Sequence, residues 1–300
     1  MKSKILRGTA LDGQIRVFIA NTTSLVEKAK DTHQTSPVAT AALGRVLTAT
    51  SILGVMLKGE QHKITTRIDG QGLIGTIIAT SDSSGNVKGY VTNPQVMVES
   101  STPGKLNVGG AVGKDGEITI IKDLGLKNPY IGNYPLVSGE IGEDLASYFM
   151  YSEQQPSAVG LGVIIDKDYT IKSAGGFILQ ILPNTDENVA FILEERVKEA
   201  GSISKLIENS RDEKEIMTQL LEGLNPKVLE EYEVDYHCDC NRDRFEKAMI
   251  SLGQKEILSL IQEDHGAELQ CHFCNKKYQF SEEDLRSLVK EAINIDKNSD

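Results

Sequence analysis

His237-Cys238-Asp239-Cys240 and, after the long stretch 241–270, Cys271-His272-Phe273-Cys274 hold every cysteine of this 300-residue chain. Two thiols one residue apart and two thiols two residues apart can converge on one tetrahedral ion. Zinc takes four thiolates at about 2.3 Å, and closed four-sulfur sites are structural rather than catalytic. A lone C-x-x-C serves metal, redox and disulfide roles alike. Here both pairs are used up together, so Cys238, Cys240, Cys271 and Cys274 are expected to hold one zinc ion. Cysteines packed as small apolar groups would not be surrounded by Asp239, Asn241, Arg242 and Asp243. Four sulfurs fill a tetrahedron, so His237, His265 and His272 are expected as flanking surface residues. The stretch between the arms is longer than a plain zinc ribbon needs and leaves room for a helical excursion.

The same thiols admit a redox reading. A C-x-C pair closes only a very small ring, and a disulfide in that geometry is strained and reducible. Zinc-bound thiolates are the nucleophilic form that oxidants attack. Arg242, Arg244, Lys276 and Lys277 lie close in sequence and favour the anions. The four residues can therefore be a metal site when reduced and two local disulfides when oxidised, or a purely structural zinc knob. The residues alone leave both open.

Outward from the cysteines, the chain carries 43 acidic against 32 basic residues, a net charge of −11. That balance disfavours a general nucleic-acid binder, whose phosphate contacts need a basic face, and disfavours anionic membranes. Met1-Lys2-Ser3-Lys4 leads into strand-like sequence rather than a signal-peptide apolar core. A reducing, cytoplasmic compartment, where thiols stay free, is the expectation.

Ile5 to Asn21 predicts a hairpin around Asp12-Gly13. Thr22 to Lys30 predicts a short helix. Ser36-Pro37 is a helix start, Ser as N-cap and Pro in the first turn, and Val38 to Leu57 follows as an apolar run. Its Arg45, threonines and serines favour a buried helix over a membrane span. Strands are expected at 64–68, 73–79, 87–91 and 118–121, with turns at Asp69-Gly70 and Asp115-Gly116. Short turns imply an antiparallel sheet. A helix over Gly139–Met150 and a hairpin of Val159–Ile165 with Tyr169–Leu182 complete an α+β core domain, residues 1–183. Gly109 to Lys114 only superficially matches a phosphate loop, because Val108 and Asp115 stand where that motif needs Gly and Ser or Thr. No nucleophile elbow surrounds a serine, and no enzyme is expected.

Residues 184–230 predict a linker of short amphipathic helices, with Val189, Ile192, Leu193 and Val197, then Ile216, Leu220 and Leu221, as apolar faces. Short helices depend on tertiary packing, so these must dock. Residues 231–300 predict the small cysteine domain, with a helix at Ser251–Gln262. A second helix is capped by Ser281 and carries Leu285, Leu288, Val289 and Ile293. A piece this small needs a staple.

The two cysteine pairs resemble those of the heat-shock protein 33 family, redox-regulated holdase chaperones of the bacterial cytoplasm. So do Gly139-Glu140-Ile141-Gly142-Glu143-Asp144-Leu145, Ser152-Glu153-Gln154-Gln155-Pro156-Ser157-Ala158 and Ala174-Gly175-Gly176-Phe177. The likeness spans the whole chain. It implies that the reduced protein binds one zinc through the four cysteines and is inactive. It implies that oxidation forms Cys238–Cys240 and Cys271–Cys274 disulfides, releases zinc and unfolds the linker. The active form then holds unfolding client proteins without ATP, as a dimer. A zinc-ribbon nucleic-acid module conflicts with the acidic balance. A thiol–disulfide oxidoreductase would need a thioredoxin-like unit around Cys271 and Cys274, and none is legible.

Overall fold

A computed structural model describes residues 2–100, 104–183, 185, 186 and 188–297, with side chains up to Glu291. The chain forms two compact units, Met1–His237 and Cys238–Asp300. The first runs β1 (Ser3–Ala10), β2 (Ile15–Asn21), α1 (Thr23–His33), α2 (Pro37–Val55), β3 (Lys63–Asp69), β4 (Ile77–Asp82), β5 (Val87–Val91), α3 (Val108–Val112), β6 (Glu117–Asp123) and β7 (Tyr130–Pro135). It continues with α4 (Gly142–Tyr151), β8 (Ser157–Ile165), β9 (Ile171–Ile181), α5 (Asn188–Ala200), α6 (Ile203–Asn209), α7 (Glu213–Leu220) and β10 (Lys227–Val234). The second holds α8 (Arg242–Leu252), α9 (Gln254–Glu263), β11 (Gly266–Gln270), β12 (Lys277–Ser281) and α10 (Glu282–Lys297).

Two five-stranded antiparallel sheets, ordered β10-β1-β2-β9-β8 and β5-β4-β3-β6-β7, make the α+β core. Helix α2 touches β8 and β9 of one and β4 and β5 of the other, which is why it is apolar all round. It is long and apolar enough to span a bilayer, yet it is buried inside the fold. Ser36 caps it as the sequence predicts, its hydroxyl accepting from Ala39 N–H. Arg45 is stabilised there by Glu140, whose carboxylate lies 2.6 Å and whose carbonyl 3.1 Å from Nη1.

The Gly139–Leu145 motif also finds its reason. Asp144 is fully buried and accepts from the backbone N–H groups of Val137, Ser138, Gly139 and Ile141 at 2.7–3.2 Å. Four such bonds hold Ile141 at φ 70°, a left-handed conformation that is uncommon for a β-branched residue.

Several expectations shift. Strand β4 starts at Ile77, because 71–76 turn back against α3, and β9 starts at Ile171 because Tyr169 closes the turn at φ 67°. The predicted 251–262 helix is two helices, α8 and α9, broken at Gly253 with φ 92°. Strands β7, β10, β11 and β12 and helix α3 are additional to the expected elements. Ser281 caps α10, exchanging bonds with Asp284; the side chain of Ile293 lies outside the described residues.

Helices α5–α7 dock on the first sheet's other face. Val189, Leu193, Ile207, Ile216, Met217 and Leu220 bury against Leu6, Val17, Ile19, Phe177 and Leu179, whereas Ile192 turns partly outward. Two glycines make the approach possible. A Cβ at Gly175 would stand 2.5 Å from Ile207 Cδ1, and one at Gly162 2.7 Å from Ser204 Cβ. Ser173 Oγ donates to Ser204 O at 2.8 Å and finishes the seam. Strand β10 then returns along β1, Ser3 opposite Val234.

Two outcomes follow from this docking. Leu220 is 1% exposed, so Leu220→Ala should cost about 3 kcal/mol and speed amide exchange across 203–221 ahead of the rest of the unit. Glu213, the first residue of α7, is buried, and burial raises its carboxyl pKa, with Asp212 and Glu231 adding to the rise and Lys4 opposing it. An acid whose folded pKa lies above its unfolded one stabilises the fold when protonated. That stability is present at low pH and lost as pH rises from the unfolded to the folded pKa. Glu213→Gln should therefore raise thermal stability at neutral pH and flatten its dependence over that window, as read by melting curves at several pH values.

Candidate metal centre

Both cysteine arms are held by neighbours of fixed geometry. Cys271-His272-Phe273-Cys274 turns between β11 and β12. Cys271 N–H donates to Lys276 O at 2.9 Å, and Asn275, at φ 59°, donates to Cys271 O at 2.8 Å. Cys238-Asp239-Cys240 precedes α8, whose N-cap Asn241 accepts from Arg244 N–H at 2.9 Å. Arg244 in turn reaches Asp239 at 3.1 Å. Arg242 ties the start of α8 to the hairpin, donating to Gln279 O at 2.7 Å and stacking its guanidinium 4.3 Å from the Phe280 ring centroid.

The four sulfurs all lie within 4.8 Å of one another. The short approaches run between arms, Cys238 to Cys271 at 3.7 Å and Cys240 to Cys274 at 3.4 Å, and all four cysteines are free. A tetrahedron with metal–sulfur bonds of about 2.3 Å has edges of about 3.8 Å. The cluster therefore fits a soft divalent cation with little adjustment. His237, His265 and His272 are exposed and lie outside this group of ligands.

Electrostatics point the same way. Burial pushes the Cys238 thiol well up, and burial likewise raises Cys274. At Cys240 burial also acts upward, but hydrogen bonds from Tyr278 and the neighbouring thiols outweigh it and hold the thiol below its ordinary value. The Tyr278 hydroxyl lies 3.2 Å from Cys240 Sγ and 3.0 Å from Cys240 O. Its own pKa is raised first by that bond to sulfur. A bound cation would favour the deprotonated form of all four sulfurs, because thiolate is the ligand form.

Tyr278 and Phe245 are the supporting residues that spacing did not single out, and Arg242, expected beside the anions, instead braces the hairpin. Phe245 packs on Tyr278 with ring centroids 4.6 Å apart. Around them Met249, Ile257, Ile261, Phe280, Leu285 and Leu288 form a core of only a few side chains. The glycine-rich 109–114 segment, by contrast, forms the five-residue α3 and a turn that packs backbone to backbone against Gly70 and Gly72. It leaves no cradle for a phosphate.

Comparison with known proteins agrees with this architecture. The family model described as Hsp33 protein matches residues 3–281. The 33 kDa chaperonin of Alkaliphilus metalliredigens is 60% identical over 291 residues, 97% of this chain and 100% of the relative. That of Clostridioides difficile is 50% identical over 97% of this chain and 100% of its own length. The crystal structure of the 33 kDa chaperonin from Thermotoga maritima superposes with a TM-score of 0.89 at 37% identity, covering 98% of this chain and 100% of that one. With a family match over nearly its whole length and relatives at this identity, the chain belongs to the Hsp33 family.

Proposed function

We propose that this protein is a redox-regulated, ATP-independent holdase that captures unfolding proteins during oxidative stress in a reducing cytoplasm. The observation that carries the reading is the convergence of four cysteine sulfurs from two distant arms, each within 4.8 Å of the rest, in a unit with a small core. In the reduced state Cys238, Cys240, Cys271 and Cys274 hold one zinc ion. A structural four-cysteine site supplies about 10–16 kcal/mol of apparent folding free energy, which a core of this size does not replace.

Oxidation acts on the sulfurs. Cys238 joins Cys240, and Cys271 joins Cys274. Each pair of thiolates passes two electrons to one peroxide molecule, which takes up two protons and leaves as two waters. The ligand set is then consumed, and the ion is released. Neither bridge joins one arm to the other, so the constraint across 241–270 is lost. Functionally the chain then divides into a core, residues 1–183, a linker, 184–230, and a switch, 231–300. The linker helices leave the sheet face lined by Leu6, Val17, Ile19, Phe177 and Leu179. Apolar surface on both becomes available to clients, and the active form associates as a homodimer. The reading assigns no catalysis and no nucleic-acid or membrane partner.

Zinc content, helicity and suppression of client aggregation should change together when the protein is treated with peroxide at raised temperature. In Cys238→Ser the three should come apart, with weakened zinc retention in the reduced protein. Full activity with zinc bound and helicity intact would defeat the switch. A two-residue spacing closes with less strain than a one-residue spacing, so the Cys271–Cys274 bridge should form first. Mass spectrometry of alkylated samples during slow oxidation reads the order, and an early Cys238–Cys240 bridge would count against it.

A further inference from the structure

The two five-stranded sheets have four edges, and a strand edge left bare is a template for another chain. Three are blunted. Strand β10 carries Glu230, Glu231 and Glu233, paired with Arg7, Lys214 and Lys2. Strand β5 is capped by the chain before the cysteines: Val87 N–H donates to Asp235 O at 3.0 Å, His237 N–H to Val87 O at 2.9 Å, and the Tyr236 hydroxyl to Gly89 O at 2.7 Å. Strand β8 runs beneath helices, with a Cβ at Gly142 of α4 standing 3.7 Å from Val159 O and 3.9 Å from Leu161 N.

Strand β7 has α4 against one face, where a Cβ at Gly132 would stand 2.5 Å from the Tyr148 hydroxyl, and Lys122 of β6 lies 5.4 Å from the Tyr130 ring centroid, but its outer edge is left open. Among the described residues it pairs with β6 alone. From Asn128 to Gly139 the sequence holds no charged residue. Ile131 is 60% exposed and Tyr130 48%. Beside the strand, Tyr134 stacks on Tyr151 with ring centroids 5.2 Å apart, and Tyr151 is itself 64% exposed. A bare edge next to an aromatic shelf fits an amphipathic purpose: backbone groups to pair, and rings that accept varied apolar side chains.

We propose that the outer edge of β7 binds an extended, uncharged and apolar segment of an unfolded polypeptide, which adds to the sheet as a sixth strand. The proposal rests on the holdase reading and names an accessory surface, open in the reduced form as well and too short to retain a client until linker release adds its apolar surface. Only an extended chain satisfies a row of strand donors and acceptors. The absence of charge along 128–139 selects an apolar segment over an acidic or basic one. Pro129 and Pro135 bracket the edge, so pairing is confined to Tyr130–Tyr134, roughly 17 Å of strand at about 3.4 Å per residue. A stretch that short falls well below the roughly 1,200–2,000 Å² of a stable protein–protein interface. It suits a flexible segment held weakly and exchangeably rather than a second folded copy. Backbone pairing also accounts for tolerance of sequence, because the groups it uses are common to every chain.

The test uses the full-length oxidised protein with reduced, carboxymethylated α-lactalbumin, a permanently unfolded chain. Amide exchange in peptides covering 128–137 should slow when this probe is present. Ile131→Lys, which places a charge on the edge, should weaken probe binding by about tenfold, or 1.4 kcal/mol. Melting temperature and peroxide-driven zinc release should stay unchanged. Probe binding that leaves 128–137 unprotected would overturn the edge assignment while leaving the holdase reading intact. No probe binding at all would remove both. Protection at 128–137 that grows with protein concentration without the probe would assign the edge to a second copy and overturn the proposal.

Discussion

Four sulfur atoms brought together from residues 238–240 and 271–274 are the constraint on which the C-terminal unit depends. The apolar core beneath them is a handful of side chains, and its helices α8 and α9 are short. A chain of this size is marginal on packing alone. The cross-arm approaches of 3.7 and 3.4 Å put the anchor where two polypeptide arms must meet. An ion held there would do for this unit what α2 and two sheets do for the other. The anchor is chemically labile where an apolar core is not, since thiolates are open to oxidants.

The N-terminal unit is built on the opposite principle. Its centre is a helix buried on all sides between two sheets, insensitive to redox state. On its outside lie α5–α7, which bury one face each and contribute little to the main core. Their seat depends on close approach at Gly162 and Gly175 and on the shared bond between Ser173 and Ser204. Glu213 is a buried carboxyl in the same seat, and its desolvation works against docking at neutral pH. A well-packed body and a less firmly held layer therefore coexist in one unit, as cooperative substructures of unequal stability do generally.

Treatment of strand edges follows the same economy. Charge on β10, a chain segment on β5 and helices beside β8 each prevent a wrong pairing. At β7 helix α4 covers one face and two prolines limit the length, but the outer edge pairs with no strand among the described residues. Within the two five-stranded sheets, an edge left open beside exposed tyrosines is what a surface for non-native chains requires.

Much of this was legible in the residues themselves. Cysteine spacing singled out the four sulfurs that the fold brings together, because coordination chemistry is set by residue type and count. Ser36-Pro37 and Ser281 marked helix starts, because capping acts within one turn. Asp12-Gly13 and the alternation after it marked the first hairpin, because turn chemistry and pleat are local. Tertiary structure alone decided the rest. Lys227–Val234, rich in glutamate and poor in alternation, becomes a strand only because β1 offers it an edge more than 200 residues away. Tyr278 reaches Cys240 only because a hairpin folds back on α8. Asp144 looks like one more surface acid in sequence, and only the folded loop shows it accepting four backbone bonds. Local rules read neighbours along the chain; these features belong to neighbours in space, whose pairing depends on contacts no short window of sequence contains.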